Sequence, residues 1–129
     1  MCRRKRCRGQ ALTEFAIAIP VLLLLLNIAI DFGRAFYFDL CLRDAAFAGA
    51  RYGGMNPNDD AGIKNATIAA APSGVVNAGQ VVVSGSPPRA SFTAISVSVT
   101  YTFRPLTPMI SNLTGGGIAL QRTQTDIIK

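Results

Sequence analysis

The chain has no histidine. That absence removes the side chain that most often moves protons or holds a metal near neutral pH. Three cysteines are present, Cys2, Cys7 and Cys41, with no Cys-x-x-Cys pair, so a conventional zinc centre has almost no ligands. If the first nine residues are removed, Cys41 stands alone, cannot close an internal disulfide, and reads as a small apolar residue on a helix. Acidic residues are also few, seven in all. Asp31, Asp39 and Asp44 fall on one helical stretch among charged neighbours. Gly115 to Gly117 lacks the lysine and following helix of a phosphate loop. Asn56, Asn58 and Asp60 alternate as in a calcium loop, but the glutamate at the twelfth position is missing and the glycine is displaced. No catalytic constellation, cofactor motif or metal-ligand set is legible, and the chain is not read as an enzyme.

What the chain does have is unevenly placed. Its formal charge of +6 suggests nucleic acid at first sight. Yet Arg3, Arg4, Lys5, Arg6 and Arg8 supply five positive charges before Gly9, and the rest carries eight basic and seven acidic residues. The basicity belongs to a tail. A short basic block ahead of an apolar run is a positive-inside topology signal, and nucleic acid is not expected as a partner.

The apolar run FAIAIPVLLLLLNIAI covers Phe15 to Ile30 without a charge. Extended from Ala11 to Phe32, interrupted by Glu14, Asn27 and Asp31, it would make a helix about 33 Å long, close to the hydrocarbon thickness of a bilayer. A soluble core helix keeps a polar face; Val21 to Leu26 keeps none. The run predicts one transmembrane helix. A cleaved secretory signal would need a small-residue site just after the core, and Asn27 to Gly33 does not provide one cleanly. Pro20 cannot donate to the carbonyl of Ala16 and predicts a bend, which membrane helices tolerate.

Glu14 is the fifth residue after Gly9, and Phe15 opens the apolar run. A basic leader, a glycine, four residues, "EF" and an apolar helix together resemble the processing site of type IV pilin-like precursors. In particular, GQALTEFAIAIPVLLLLLNIAIDFGRA resembles the N-terminus of the TadE-like pseudopilins of tight-adherence pilus systems. The resemblance implies a membrane prepilin peptidase cutting between Gly9 and Gln10, with Gln10 the new first residue. Glycine suits such a cut because it lets an extended backbone approach the protease closely. Cutting would remove the basic block and create one α-amino group. If Glu14 is later buried in an assembly it needs a partner, and that amine is the natural one.

The stretch DFGRAFYFDLCLRDAAFAGARY, from Asp31, also resembles the TadE-like family and can continue the helix. Phe36, Leu40, Phe47 and Tyr52 mix with charged residues in an amphipathic pattern. Asp39 and Arg43 form an i,i+4 pair in the favourable order. Ala46 with Ala50, and Ala45 with Gly49, are four apart, a spacing that permits close approach. They serve either a neighbouring helix or, the preferred reading, the protein's own sheet. Gly53-Gly54 is expected to stop a helix about 65 Å long from Gln10 to Tyr52.

Beyond it, Asp59 or Asp60 is expected to cap a short helix, Ala61 to Ala71, stopped by Pro72. QVVVSG from Gln80 predicts a short strand. Ile95, Val97, Val99, Tyr101 and Phe103 alternate with serines and threonines, which predicts a strand with one apolar face. "PPR" at Pro87 separates the two strands. RPLTPMISNLTGGG reads as an irregular connection, and Ile118 to Ile127 as an edge strand. VSVTYTFRPLTPMISNLTGGGIALQRTQTDI is similar to the C-terminal half of TadE-like sequences.

The expected fold is α+β: a long N-terminal helix packed on an antiparallel sheet of about three strands. The expected organisation is a basic cytoplasmic leader (1–9), a transmembrane helix (10–32), a helical stalk (33–53) and a small exposed domain (54–129). The resemblance implies a pseudopilin of the bacterial cytoplasmic membrane with its N-terminus inside. Its processing site would be Gly9, Gln10, Glu14 and Phe15, and its packing positions Pro20, Ala46, Gly49 and Ala50. Its partners would be a prepilin peptidase, other pilin or pseudopilin subunits and membrane lipid. A domain after Gly54 departs from the short major subunits of such pili and implies a minor or priming role. The alternative is an uncleaved single-pass protein whose outer domain binds a ligand.

Overall fold

The computed structural model describes residues 8–129; the block from Arg3 to Arg6, with Cys2 and Cys7, lies outside the described residues. One helix, α1 (Arg8–Met55), takes up 48 residues, about 72 Å at helical rise. It is followed by α2 (Asp60–Ala70), β1 (Val81–Val83), β2 (Ala94–Phe103), α3 (Pro108–Leu113) and β3 (Ile118–Ile127). The strands form one antiparallel sheet in the order β1-β2-β3. The α+β expectation, a long helix on a three-stranded sheet, holds.

The sheet faces the second half of α1. Alternation along β2 buries Ile95, Val97, Val99 and Phe103, and leaves Tyr101 partly covered. Leu42, Ala46 and Ala50 of α1, Ile63 of α2, Val76, Val81 and Ile128 complete the core. On the opposite face of β2, Ser96 and Ser98 exchange hydroxyl hydrogen bonds with Thr125 and Thr123 of β3, at 2.8 and 2.7 Å. Those cross-strand pairs fix the register on the side that water sees.

Phe36, Leu40 and Phe47 of the stalk do not make this contact. Phe36 and Phe47 are each 58% exposed, and Leu40 also faces outward. The helix turns its small residues to the sheet, because a helix lies close to a flat β-surface only where its side chains are short. A Cβ at Gly53 would stand 2.8 Å from Ile95 Cδ1, and one at Gly54 would stand 3.2 Å from the Ile127 carbonyl. The glycine pair therefore does not stop the helix, which runs on to Met55. It makes room for the sheet and α2. The stop comes from Pro57, which disfavours helical geometry at the residue before it.

α2 starts one residue earlier than expected and ends one earlier. Its cap is Asp59, whose Oδ1 accepts the Gly62 N–H at 2.9 Å. Asp59 Oδ2 also accepts from the Tyr52 hydroxyl at 3.0 Å, tying the end of α1 to the start of α2. This hydrogen bond holds the Tyr52 phenol above its ordinary pKa, because the proton is shared with a carboxylate.

Arg89, in the "PPR" separator, turns out to be a rivet. Its guanidinium donates to Asp60 Oδ1 at 2.6 Å, to the Ser84 and Gly85 carbonyls at 3.0 and 2.7 Å, and to the Pro57 carbonyl. Its own N–H donates to Asn58 Oδ1 at 2.9 Å. The side chain is 6% exposed, so a charge is buried with each of its neighbours in place.

The connection read as irregular contains α3. Pro108 occupies its first turn, where a missing N–H costs nothing. Gly115 and Gly116 follow with φ of +67° and +95°, a left-handed turn that sends the chain back into β3.

Candidate functional site

The sequence-derived processing junction lies in the opening turns of α1. Gly9 and Gln10 are helical and exposed, and a Cβ at Gly9 would meet nothing within 4 Å. The extended backbone expected at the junction is therefore not its resting conformation. Only a first turn has to open, and helix ends fray at little cost. The Thr13 hydroxyl donates to the Gln10 carbonyl at 2.8 Å. Gln10 Nε2 donates to Glu14 Oε1 at 3.1 Å, so the carboxylate folds back over one turn toward residue 10. Glu14 and Phe15 border an open apolar groove of about 540 Å³ that passes Ala18 and reaches Leu22 and Leu25.

The helix continues through Pro20 without a break. From Leu12 to Leu26 its large apolar side chains are uncovered all round, Leu22 being 67% and Ile17 72% exposed. The helix is long and apolar enough to cross a membrane. The uncovered apolar surface does not end with the run. Phe32 (73% exposed), Phe36, Leu40 and Phe47 carry it up the stalk. The packing positions Ala46, Gly49 and Ala50 are occupied within the chain: both alanines are buried, and Gly49 lies against Thr67 and Val97.

Two further carboxylates set the domain on the helix. Asp39 meets Arg122 of β3 in a two-pronged ion pair, with Nε to Oδ1 at 2.7 Å and Nη2 to Oδ2 at 2.6 Å. The expected partner, Arg43, is displaced because a fork-to-fork arginine pair holds a carboxylate better than a single-point contact along the helix. The hydrogen bonds to Asp39, and after them its negative charge, raise the Arg122 pKa.

Asp31 stands at the end of the apolar run and was legible only as an interruption of it. In the fold it is buried, 4% exposed. Its Oδ1 accepts the Leu106 N–H at 3.0 Å; its Oδ2 accepts the Thr107 N–H at 2.8 Å and the Thr107 hydroxyl at 2.7 Å. Arg34, one turn on, approaches at 3.4 Å and lies over the Phe103 ring, 5.5 Å from its centroid. Phe38 packs on Phe103 and Tyr101 beside it, with centroids 6.0 and 5.2 Å away. One carboxylate thus fastens the β2–α3 connection to the helix where the membrane-grade run ends.

In this arrangement no nucleophile, base and oxyanion site converge among the described residues. Among the described residues no group of three or more acidic, cysteine or histidine side chains could hold a metal. What it presents is an anchor: a bare apolar helix joined without interruption to a small folded head.

Comparison with known proteins agrees with that description. The family model for TadE-like proteins matches residues 9–51, from the glycine of the junction to the last turn of the stalk. No curated protein and no solved structure matches the chain. Over that segment, the long apolar helix and its stalk, the chain is similar to TadE-like proteins.

Proposed function

We propose, from the TadE-like segment that forms its anchor, that this chain is a pseudopilin of a tight-adherence pilus assembly system, a structural subunit rather than an enzyme. The precursor inserts with its basic leader on the cytoplasmic side. A prepilin peptidase removes residues 1–9, and the processed chain then engages other pilin or pseudopilin subunits. Its folded head, absent from short major subunits, makes it a minor or priming subunit.

One observation carries this reading. The matched segment begins at Gly9, and Glu14 reaches back to residue 10 within the same turn. After trimming, Gln10 would carry the new α-amine, and Glu14 is already turned toward that position. In water the pair is worth little. Packed among apolar helices, a carboxylate deprived of its cation costs about 3 kcal/mol or more. Only the axial stagger that pairs the charges would then be tolerated, so Glu14 sets the register of assembly. The groove at Glu14 and Phe15 and the Phe32–Phe36–Leu40 stripe offer the apolar surface for such packing.

The mature N-terminus tests this directly. Intact-mass measurement of protein from membranes should show loss of Met1 to Gly9, and Gly9→Leu should abolish that loss. Glu14→Ala should be trimmed normally but recovered poorly in sheared fibres. A full-length chain in the working protein would overturn the reading and favour an uncleaved single-pass binding protein.

A further inference from the structure

We propose that the β2–β3 connection, residues 104–117 with α3 at its centre, together with Ile118 at the start of β3, is a membrane-surface element that dips into the outer leaflet beside the anchor helix. The inference rests on the reading of α1 as a membrane span.

The depth follows from the helix. Seventeen residues separate Glu14 from Asp31, about 25 Å of rise. The hydrocarbon layer is about 30 Å thick. If Glu14 stays at the inner boundary, the outer boundary falls near Arg34, one turn past Asp31. Asp31 then sits at or below that boundary, where water supplies its partners poorly. The fold supplies them instead, through Leu106, Thr107 and Arg34. The segment that brings those donors must lie at the same depth.

Its chemistry suits that position. Leu106 is 68% exposed, Leu113 88% and Ile118 39%. Ile110 lines an apolar cleft of about 200 Å³ together with Ile28 and Phe32. Ile28 belongs to the apolar run, one turn closer to the membrane interior than Asp31, so α3 flanks the last turns of the span itself. A backbone entering that region must satisfy its own polar groups. α3 does so: Ser111 N–H donates to the Thr107 carbonyl at 3.0 Å, Thr114 N–H to Ile110 at 2.9 Å, and Gly116 N–H to Ser111 at 2.8 Å. Residues 104–118 contain no acidic residue, and Arg104 is exposed, as befits a neighbour of lipid phosphates. The occupant of this face is the phospholipid surface, by continuity with the lipid around α1.

The chain has no tryptophan, so single tryptophans report without background. Full-length Leu113→Trp, Leu22→Trp and Phe92→Trp variants would be reconstituted in phosphatidylcholine vesicles with acyl chains brominated near the headgroup or near the bilayer centre. Leu113 is too exposed for the change to disturb folding. Phe92, 88% exposed, hydrogen-bonds through its N–H to Ile128 at the far end of the head, about 35 Å of helix rise above Asp31. Leu113→Trp should emit to the blue and lose most of its emission to the shallow bromines. Leu22→Trp should lose it to the deep ones, and Phe92→Trp to neither. Leu113→Trp behaving like Phe92→Trp, with Leu22→Trp still quenched, overturns the inference and leaves the span intact. Failure of Leu22→Trp to be quenched overturns the span first, and the inference with it. Leu113→Trp shielded from aqueous iodide yet untouched by bromines means that a second copy covers the face, and also overturns it.

Discussion

Replacing Gly49 by alanine separates two uses of the small-residue stripe. At an exposed helix position the change stabilises by about 1 kcal/mol, because alanine has the better helix propensity. Here the added Cβ would fall inside van der Waals contact of Thr67 Oγ1 and stand 3.3 Å from both Thr67 Cβ and Val97 Cγ1. Thr67 cannot turn away without loss. It is fully buried, and its hydroxyl donates to the Ile63 carbonyl at 2.8 Å. Leaving that hydroxyl unpaired costs about 1–3 kcal/mol, and moving α2 outward costs a similar amount as overpacking. The net expectation for Gly49→Ala is a destabilisation of about 1–2 kcal/mol. Thr67→Ala alone should cost about 1 kcal/mol, from the deleted methyl and hydroxyl. In the double variant the alanine at position 49 occupies the vacated space, so the two losses should not add. The coupling should favour the pair by at least about 1 kcal/mol. Urea denaturation of the full chain in detergent micelles, followed by tyrosine fluorescence, reads this as a shift in midpoint at constant slope. A Gly49→Ala protein more stable than the parent, with no coupling to Thr67, would refute the packing argument. It would return the stripe to contacts between subunits.

Three other expectations follow from particular contacts. Arg89→Lys should destabilise the head by about 2–4 kcal/mol, nearly as much as Arg89→Ala, because an ammonium cannot reproduce the fork that spans four acceptors; the same denaturation experiment decides it. Tyr52 should titrate above an ordinary tyrosine, and Asp59→Asn should return it toward the normal value in an alkaline absorbance titration. Since the folded pKa is the higher one, stability from this contact is complete below the unfolded-state pKa and is lost as pH rises through the folded pKa. Asp31→Asn replaces an acceptor-only carboxylate with a group that carries its own donors. Hydrogen exchange at the Leu106 and Thr107 amides should accelerate, while exchange in β2 stays slow.

The anchor could be read directly because its evidence is local. A sixteen-residue uncharged run needs no partner to be recognised as a long apolar helix. The alternation of β2 is likewise local; it buries Ile95, Val97, Val99 and Phe103 and leaves Tyr101 partly covered. What escaped depends on partners far along the chain. Asp31 looked like a flaw in an apolar run because its ligands come from residues 75 and 76 positions away. Asp39 was assigned to Arg43, its neighbour on the helix, while Arg122 approaches from 83 positions away. Arg89 sat in a Pro-rich stretch that reads as a spacer, and its role comes from two loops meeting. Six residues are too few for α3 to show a helical period, although Thr107-Pro108 is an ordinary helix start. Gly53-Gly54 illustrates the converse error: a composition typical of helix ends was selected here by crowding.

The junction between α1 and the head also has a mechanical meaning. The head lies alongside the helix and is fastened to it at three heights: through Asp31 and Thr107 of the β2–β3 connection below, the Asp39–Arg122 fork to β3 midway, and the Lys129 N–H to Gly54 carbonyl bond above, at 3.1 Å. A tug along the helix axis therefore loads these attachments side by side, in shear, and does not peel them open one at a time. A force applied to the apolar end of the helix would thus reach the head as a unit.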